Sequence, residues 1–127
     1  MPHFIIDCSQ DILQTIAPAE LMGTVYETAA AAGIFAANDI KVRIQPYQYY
    51  RLGNNKTNFL HVFGYIMEGR TMEQKANLSK TITARLKKLL PSISFLSMSI
   101  SEFEAATYCN SSLINPQNIN HDRHFEL

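Results

Sequence analysis

The sequence predicts an α+β fold in which two βαβ repeats form a four-stranded sheet with two helices on one face. Two observations carry that prediction. Short apolar or alternating runs flank two helical stripes in the order strand, helix, strand, and the same order then repeats. Both stripes also end on recognisable boundary residues, and right-handed βαβ crossovers put the helices together on one side. At 127 residues the chain suits a single domain, residues 1–127, with repeats at about 2–50 and 59–103 and a tail over 104–127.

Phe4, Ile5 and Ile6 read as a short buried strand that ends near Asp7, after which Ser9 and Asp11 offer turn or capping oxygens. Pro18 suits the first turn of a helix and Gly33 its C-terminal stop. Between them Leu21, Met22, Val25, Ala29 and Ala32 recur at helical spacing. Ile40, Val42 and Ile44 then alternate with Lys41, Arg43 and Gln45, so the second strand points Lys41 and Arg43 the same way.

Gly53 to Asn58 is turn chemistry, and a hairpin-like connection to the apolar run Phe59 to Met67 is expected. Thr71 and Gln74 have capping-box spacing at the start of a second stripe, Leu78, Ile82, Leu86, Leu89 and Leu90, which Pro91 ends. Leu96, Met98 and Ile100 alternate with Ser97, Ser99 and Ser101 in the fourth strand. After Phe103 periodicity is lost in a stretch rich in Asn and Ser, a tail expected to reach a neighbouring subunit or to stay disordered.

Hydrophobic residues make up 46% and charged residues 17% of the chain, the balance of a globular protein rather than a disordered or fibrous one. Eleven basic residues match eleven acidic ones, so no overall positive field draws nucleic acid or an anionic membrane. A local cationic pocket for a small anionic substrate stays open. Cys8 and Cys109 have no metal-type spacing and read as two buried thiols, with one disulfide as the minor alternative. The apolar run Phe4 to Ile6 is too short for a leader core or a membrane span, so the expected location is the cytoplasm. A sheet with one open face calls for a cover, and self-association into a closed ring supplies one.

Two segments carry a family resemblance: the opening Pro2-His3-Phe4-Ile5-Ile6-Asp7-Cys8-Ser9, and Glu68-Gly69-Arg70-Thr71-Met72-Glu73-Gln74-Lys75 at the start of the second repeat. The second resembles the segment after the first strand of the short 4-oxalocrotonate tautomerases, whose single βαβ unit corresponds to half of this chain. The opening, with Gly33-Ile34-Phe35 and Asp39 to Arg43, is similar to the longer 5-carboxymethyl-2-hydroxymuconate delta-isomerases of the tautomerase superfamily. The likeness runs from Pro2 to about Phe103.

That resemblance implies a tautomerase fold in its ferredoxin-like arrangement, a homotrimer with sites near the subunit interfaces, and no cofactor or metal. It implies an isomerase of aromatic (homoprotocatechuate) degradation that converts 5-carboxymethyl-2-hydroxymuconate to its 2-keto isomer, with a mature N-terminal proline as base and arginines on the substrate carboxylates. Pro2 matches the proline and Arg70 the arginine after the Glu-Gly pair. Lys41 stands where the family's strand usually carries an arginine; lysine keeps the charge without the planar fork, so Arg43 on the same face is a further substrate-binding candidate.

Removal of Met1 would leave Pro2 with a free secondary amine, and nearby cations or desolvation would lower its pKa. Taken singly these residues have plainer readings. A proline at the second position usually means only that Met1 is removed, an arginine before a helix is usually solvated, and Lys41 with Arg43 is usually the wet face of a strand. Tyr47, Tyr49 and Tyr50 suit packing or a pocket wall, Tyr50 being the substrate-binding candidate. His3 and His61 read as hydrogen-bonded structural residues, and His121 with His124 as a solvated tail rather than a metal pair. Two competitors remain: a tautomerase acting on another 2-hydroxydienoate or keto-enol acid, and a ferredoxin-like binding or assembly module without turnover.

Overall fold

A computed structural model describes residues 1–114. Strand β1 (His3–Ser9) is followed by a short helix α1 (Ile12–Thr15), helix α2 (Pro18–Ala31) and strand β2 (Lys41–Tyr47). Strand β3 (Phe59–Met67), helix α3 (Met72–Leu89) and strand β4 (Phe95–Phe103) complete the second repeat. The sheet order is β2-β1-β3-β4. Within each repeat the strands are parallel, and the repeats meet where β1 pairs antiparallel with β3.

This order corrects the expected hairpin between β2 and β3. The first βαβ crossover lays β2 along one edge of β1, and β3 takes the other edge, so the turn at Gly53–Asn58 belongs to a connection that crosses the end of β1. The turn itself forms, with Lys56 N–H donating to the Gly53 carbonyl at 3.2 Å and Asn55 in the left-handed region at φ 64°.

Burial follows the alternation. Phe4, Ile6 and Cys8 of β1 and Leu60, Val62 and Ile66 of β3 face the helices and are fully or almost fully enclosed. Against them pack Leu21, Val25 and Ala29 of α2 and Leu78, Ile82 and Leu86 of α3, one stripe from each helix. The first stripe differs from expectation in one member and one addition: Ala32 lies past the end of α2 and is exposed, and Thr28, outside the expected stripe, joins the core with its hydroxyl donating to the Thr24 carbonyl at 2.7 Å. Gly64 leaves room between Phe4 and Met98, whose atoms would lie 3.3 and 3.2 Å from a Cβ there.

The boundaries have local causes. Pro18 opens α2, and Gly33, at φ 74°, follows its end. Thr71 and Gln74 form the capping box of α3, with bonds of 3.1 and 2.9 Å. Strand β1 runs on to Ser9 rather than ending near Asp7, because buried Ser9 bonds across to β3: its Oγ accepts from Phe59 N–H at 3.1 Å and donates to the Phe59 carbonyl at 3.4 Å. Asp11 occupies the N-cap position of α1 without a side-chain cap bond.

Cys8 and Cys109 are free thiols. Cys8 is buried as expected, and burial, reinforced by Asp7 and Asp11, pushes its pKa up to about 11. Cys109 is exposed, which corrects the expectation of two buried thiols; it stands in the irregular segment after β4, outside the packed layers. That segment turns back to the start of its own chain, where Tyr108 and Asn110 reach Met1. His121, His124 and the rest of the tail lie outside the described residues. No helix among the described residues is long and apolar enough to cross a membrane.

Candidate active site

The topology collects chemistry at one end of the sheet. Strands β1 and β2 begin there and β3 and β4 finish there, because each repeat is internally parallel and the repeats are antiparallel. His3 pairs with Lys41 in register, and Met67 with Phe103. Pro2, Lys41, the Glu68–Arg70 turn and the segment after Phe103 therefore share that end.

Met1, Pro2, Phe35, Ala36, Asp39, Met67 and Arg70 line a cavity of about 180 Å³ there. A larger one of about 440 Å³ lies between α2 and α3, lined by residues such as Gln74, Asn77 and Arg85. Size is the poorer guide here, since only the smaller cavity meets the chain terminus and has both an amine and a guanidinium on its walls.

Arg70 reaches the site because Gly69 adopts φ 117°, a conformation that lets the chain turn between β3 and α3. Its guanidinium donates to the Ile34 carbonyl at 2.6 Å and the Met67 carbonyl at 3.3 Å, and lies 4.9 Å from the centroid of the Phe35 ring. These contacts hold the planar fork beside Pro2 and leave other N–H groups to bind a carboxylate. Lys41 starts β2, its backbone N–H donating to the Pro2 carbonyl at 3.1 Å and its ammonium to the Asp39 carbonyl at 2.6 Å.

Pro2 is buried, and its nitrogen is a peptide nitrogen while Met1 is attached. The Met1 amine lies 3.6 Å from the Asp39 carboxylate. Its pKa is lowered, chiefly by burial, with Lys41 and Arg70 adding to the effect and Asp39 opposing it. Once Met1 is cleaved, the same cations bear on a Pro2 amine, which is the direction a base needs.

Arg43 stands two residues further along the open face, where its guanidinium and the His3 ring approach to 3.1 Å. Tyr50 lies beyond the far end of β2, its hydroxyl donating to the Thr57 carbonyl at 3.2 Å and its ring 5.3 Å from that of Phe59. β2 alone separates the two ends by about 20 Å. Within one protomer, then, Pro2, Lys41 and Arg70 come together, Arg43 is adjacent, and Tyr50 is remote. His61 is hydrogen-bonded as expected, to Ser97 at 2.6 Å and Ser99 at 2.9 Å. Among the described residues no cluster of His, Cys, Asp or Glu is arranged to hold a metal.

Sequence reasoning named Phe35 and Asp39 only within segments of resemblance and Met67 only as a strand end, and it did not single out Tyr108 or Asn110, whose side chains donate to the Met1 sulfur at 2.8 and 3.5 Å. Asp39 had a usable signal, an acid two residues before a lysine at a strand start. Tyr108 and Asn110 had none, since their segment is aperiodic.

The chain is similar to several known proteins. The Escherichia coli 5-carboxymethyl-2-hydroxymuconate Delta-isomerase is 27% identical over 89 residues, covering 68% of this chain and 71% of that protein. A 5-carboxymethyl-2-hydroxymuconate isomerase from Deinococcus radiodurans R1 superposes with a TM-score of 0.74 over 86% of this chain and 87% of its own, at 24% identity. A fused 4-OT protein described as an asymmetric trimer shares the fold at a TM-score of 0.66, with 15% identity over 86% of this chain and 92% of its own. Residues 2–117 match the family model for 5-carboxymethyl-2-hydroxymuconate isomerase, and the chain belongs to that family.

Proposed function

We propose that the chain isomerises 5-carboxymethyl-2-hydroxymuconate to 5-oxopent-3-ene-1,2,5-tricarboxylate, with Pro2 as the proton carrier after loss of Met1. The observation that carries this reading is the meeting of Pro2, Lys41 and Arg70 at one end of the sheet, with Pro2 and Arg70 on the walls of one cavity. The neutral Pro2 nitrogen takes the enol proton of the 2-hydroxydienoate. The oxygen lone pair forms the 2-keto group, the double bonds shift along the diene, and the protonated amine returns its proton to the far carbon. An unsaturated 2-keto acid results and the base is regenerated.

Arg70 and Lys41 hold carboxylates and offset the charge that develops on the dienolate. Positioned proton transfer contributes roughly 10²- to 10⁴-fold, so this orientation and charge stabilisation must supply much of the remainder. Arg43 serves the site from the neighbouring position on β2. The chemistry needs only the amine and side-chain cations.

A homotrimer accounts for the open face of the sheet. His61, Phe63, Tyr65 and Phe103 form an aromatic run across it, with successive ring centroids 4.4, 6.4 and 6.3 Å apart. Such a surface favours burial against another copy of the chain. A second reading, isomerisation of a different 2-hydroxydienoate, is favoured by one observation: Lys41 lacks the bidentate fork that the resemblance leads one to expect.

Rates on 5-carboxymethyl-2-hydroxymuconate and on unbranched 2-hydroxymuconate, followed by ultraviolet absorbance, separate the two readings. A higher kcat/KM on the branched compound supports the first. Preference for the unbranched compound supports the second.

A further inference from the structure

We propose that the Tyr108 hydroxyl and the Asn110 amide bind the carboxymethyl carboxylate of the substrate in the mature site and set the preference for a branched, three-carboxylate substrate. The inference rests on the isomerase reading, with Pro2 as base, and adds a part of the site that the two cations do not provide.

Met1 spans the end of the sheet. Its amine reaches Asp39 on the β2 side, while its sulfur accepts from the Tyr108 hydroxyl at 2.8 Å and from Asn110 Nδ2 at 3.5 Å on the other side. A thioether is a weak acceptor, and loss of Met1 leaves both part-buried donors facing the space that the Met1 side chain filled. An anionic oxygen is the stronger partner for such a convergent pair.

Both donors are held in place by other contacts. The Tyr108 ring packs 5.5 Å from that of Phe103, and its backbone N–H donates to the Glu104 carbonyl at 3.1 Å. The side-chain oxygen of Asn110 accepts from Ser112 N–H at 3.0 Å, which turns the NH₂ group toward Met1. The Ala105 N–H donates to Glu68, tying the whole segment to the turn that carries Arg70.

The arrangement matches the shape of the substrate. Lys41 stands on the β2 side of Pro2, and Tyr108 and Asn110 stand on the β4 side, so a ligand seated over Pro2 meets the Lys41 ammonium on one hand and neutral donors on the other. The carboxymethyl arm branches from the carbon that receives the proton. Its carboxylate lies two bonds from a carbon that must approach the Pro2 nitrogen, a reach comparable to that of the Met1 side chain it replaces.

The test uses protein whose loss of Met1 is verified by mass, with Tyr108→Phe and Asn110→Asp variants. Phenylalanine keeps the ring packing, and aspartate keeps the oxygen that caps Ser112 while replacing the donor with a negative charge. The readout is the ratio of kcat/KM on 5-carboxymethyl-2-hydroxymuconate to that on 2-hydroxymuconate. A fall of about tenfold or more in Tyr108→Phe, larger in Asn110→Asp and carried by KM, is expected. An unchanged ratio in both variants overturns the proposal.

Calorimetric binding of propane-1,2,3-tricarboxylate and glutarate provides a readout that needs no turnover. The wild type should prefer the tricarboxylate and Tyr108→Phe should lose that preference; equal preference in the two proteins overturns the assignment. If neither muconate is isomerised while this preference behaves as expected, the isomerase reading fails and the carboxylate site stands.

Discussion

The Arg70 guanidinium donates to the Ile34 carbonyl at 2.6 Å, joining the turn between β3 and α3 to the turn between α2 and β2. The contact crosses 36 positions of sequence, and it gives Arg70 two tasks, holding the turn after α2 and facing the cavity beside Pro2. Arg70→Lys keeps the charge but not the fork. It should lower kcat/KM by about tenfold or more and lower stability by about 1 kcal/mol. Kinetics and urea unfolding on one preparation check both; loss of stability with unchanged kcat/KM would leave Arg70 as a structural residue only.

Lys41 supplies a point charge where a planar fork would fit. Lys41→Arg should therefore lower KM and raise kcat/KM by about threefold or more, whereas Lys41→Ala should reduce kcat/KM by about tenfold or more. A Lys41→Ala protein with wild-type kinetics would shift the role to Arg43.

The pH–rate profile should rise with deprotonation of the Pro2 amine. Burial together with Lys41 and Arg70 lowers the Met1 amine against the pull of Asp39; the same groups surround the Pro2 nitrogen one residue on, so the ascending limb should have its midpoint below the ordinary range of about 7.7 to 8.0. Asp39→Asn removes the opposing charge and should move the midpoint lower still. A midpoint that rises in that variant would contradict this assignment of charges.

Stability has its own pH dependence. His3 and His61 are both held below the usual imidazole range, mainly by burial, with Arg43 and Lys41 adding to the effect at His3 and Asp7 opposing it at His61. The unfolded chain therefore takes up these protons at a higher pH than the folded one. Stability should be full above about pH 6.5 and fall as pH drops through the unfolded and then the folded values. Urea midpoints at several pH values test this, and a flatter decline is expected in His61→Gln.

The repeat was legible because alternation and helical stripes are local patterns, and Pro18, Gly33, Thr71, Gln74 and Pro91 mark their ends as local chemistry predicts. Strand neighbours were less legible. A turn at Gly53–Asn58 looks the same in sequence whether its strands pair directly or, as here, flank β1. Ser9 reads as a turn or capping residue from local sequence because its partner, Phe59, lies 50 positions away. The end of the sheet that holds the cavity shows the same division: Pro2, Lys41 and Arg70 sit in recognisable segments, while Tyr108 and Asn110 reach Met1 through a fold-back that no periodicity announces.

Ser9 gives a direct check on that long-range bond. Ser9→Ala removes the hydroxyl that accepts from Phe59 N–H in a buried setting. It should cost about 1–3 kcal/mol of stability, read from urea unfolding, with no cavity residue altered.

The most direct measurement is the rate of 5-carboxymethyl-2-hydroxymuconate isomerisation by protein shown by mass to lack Met1, beside Pro2→Ala and protein that retains Met1. The account predicts turnover by the mature protein, a loss of about 10²-fold or more in Pro2→Ala, and none above background while Met1 is attached. Equal rates in all three proteins would contradict Pro2 as the base.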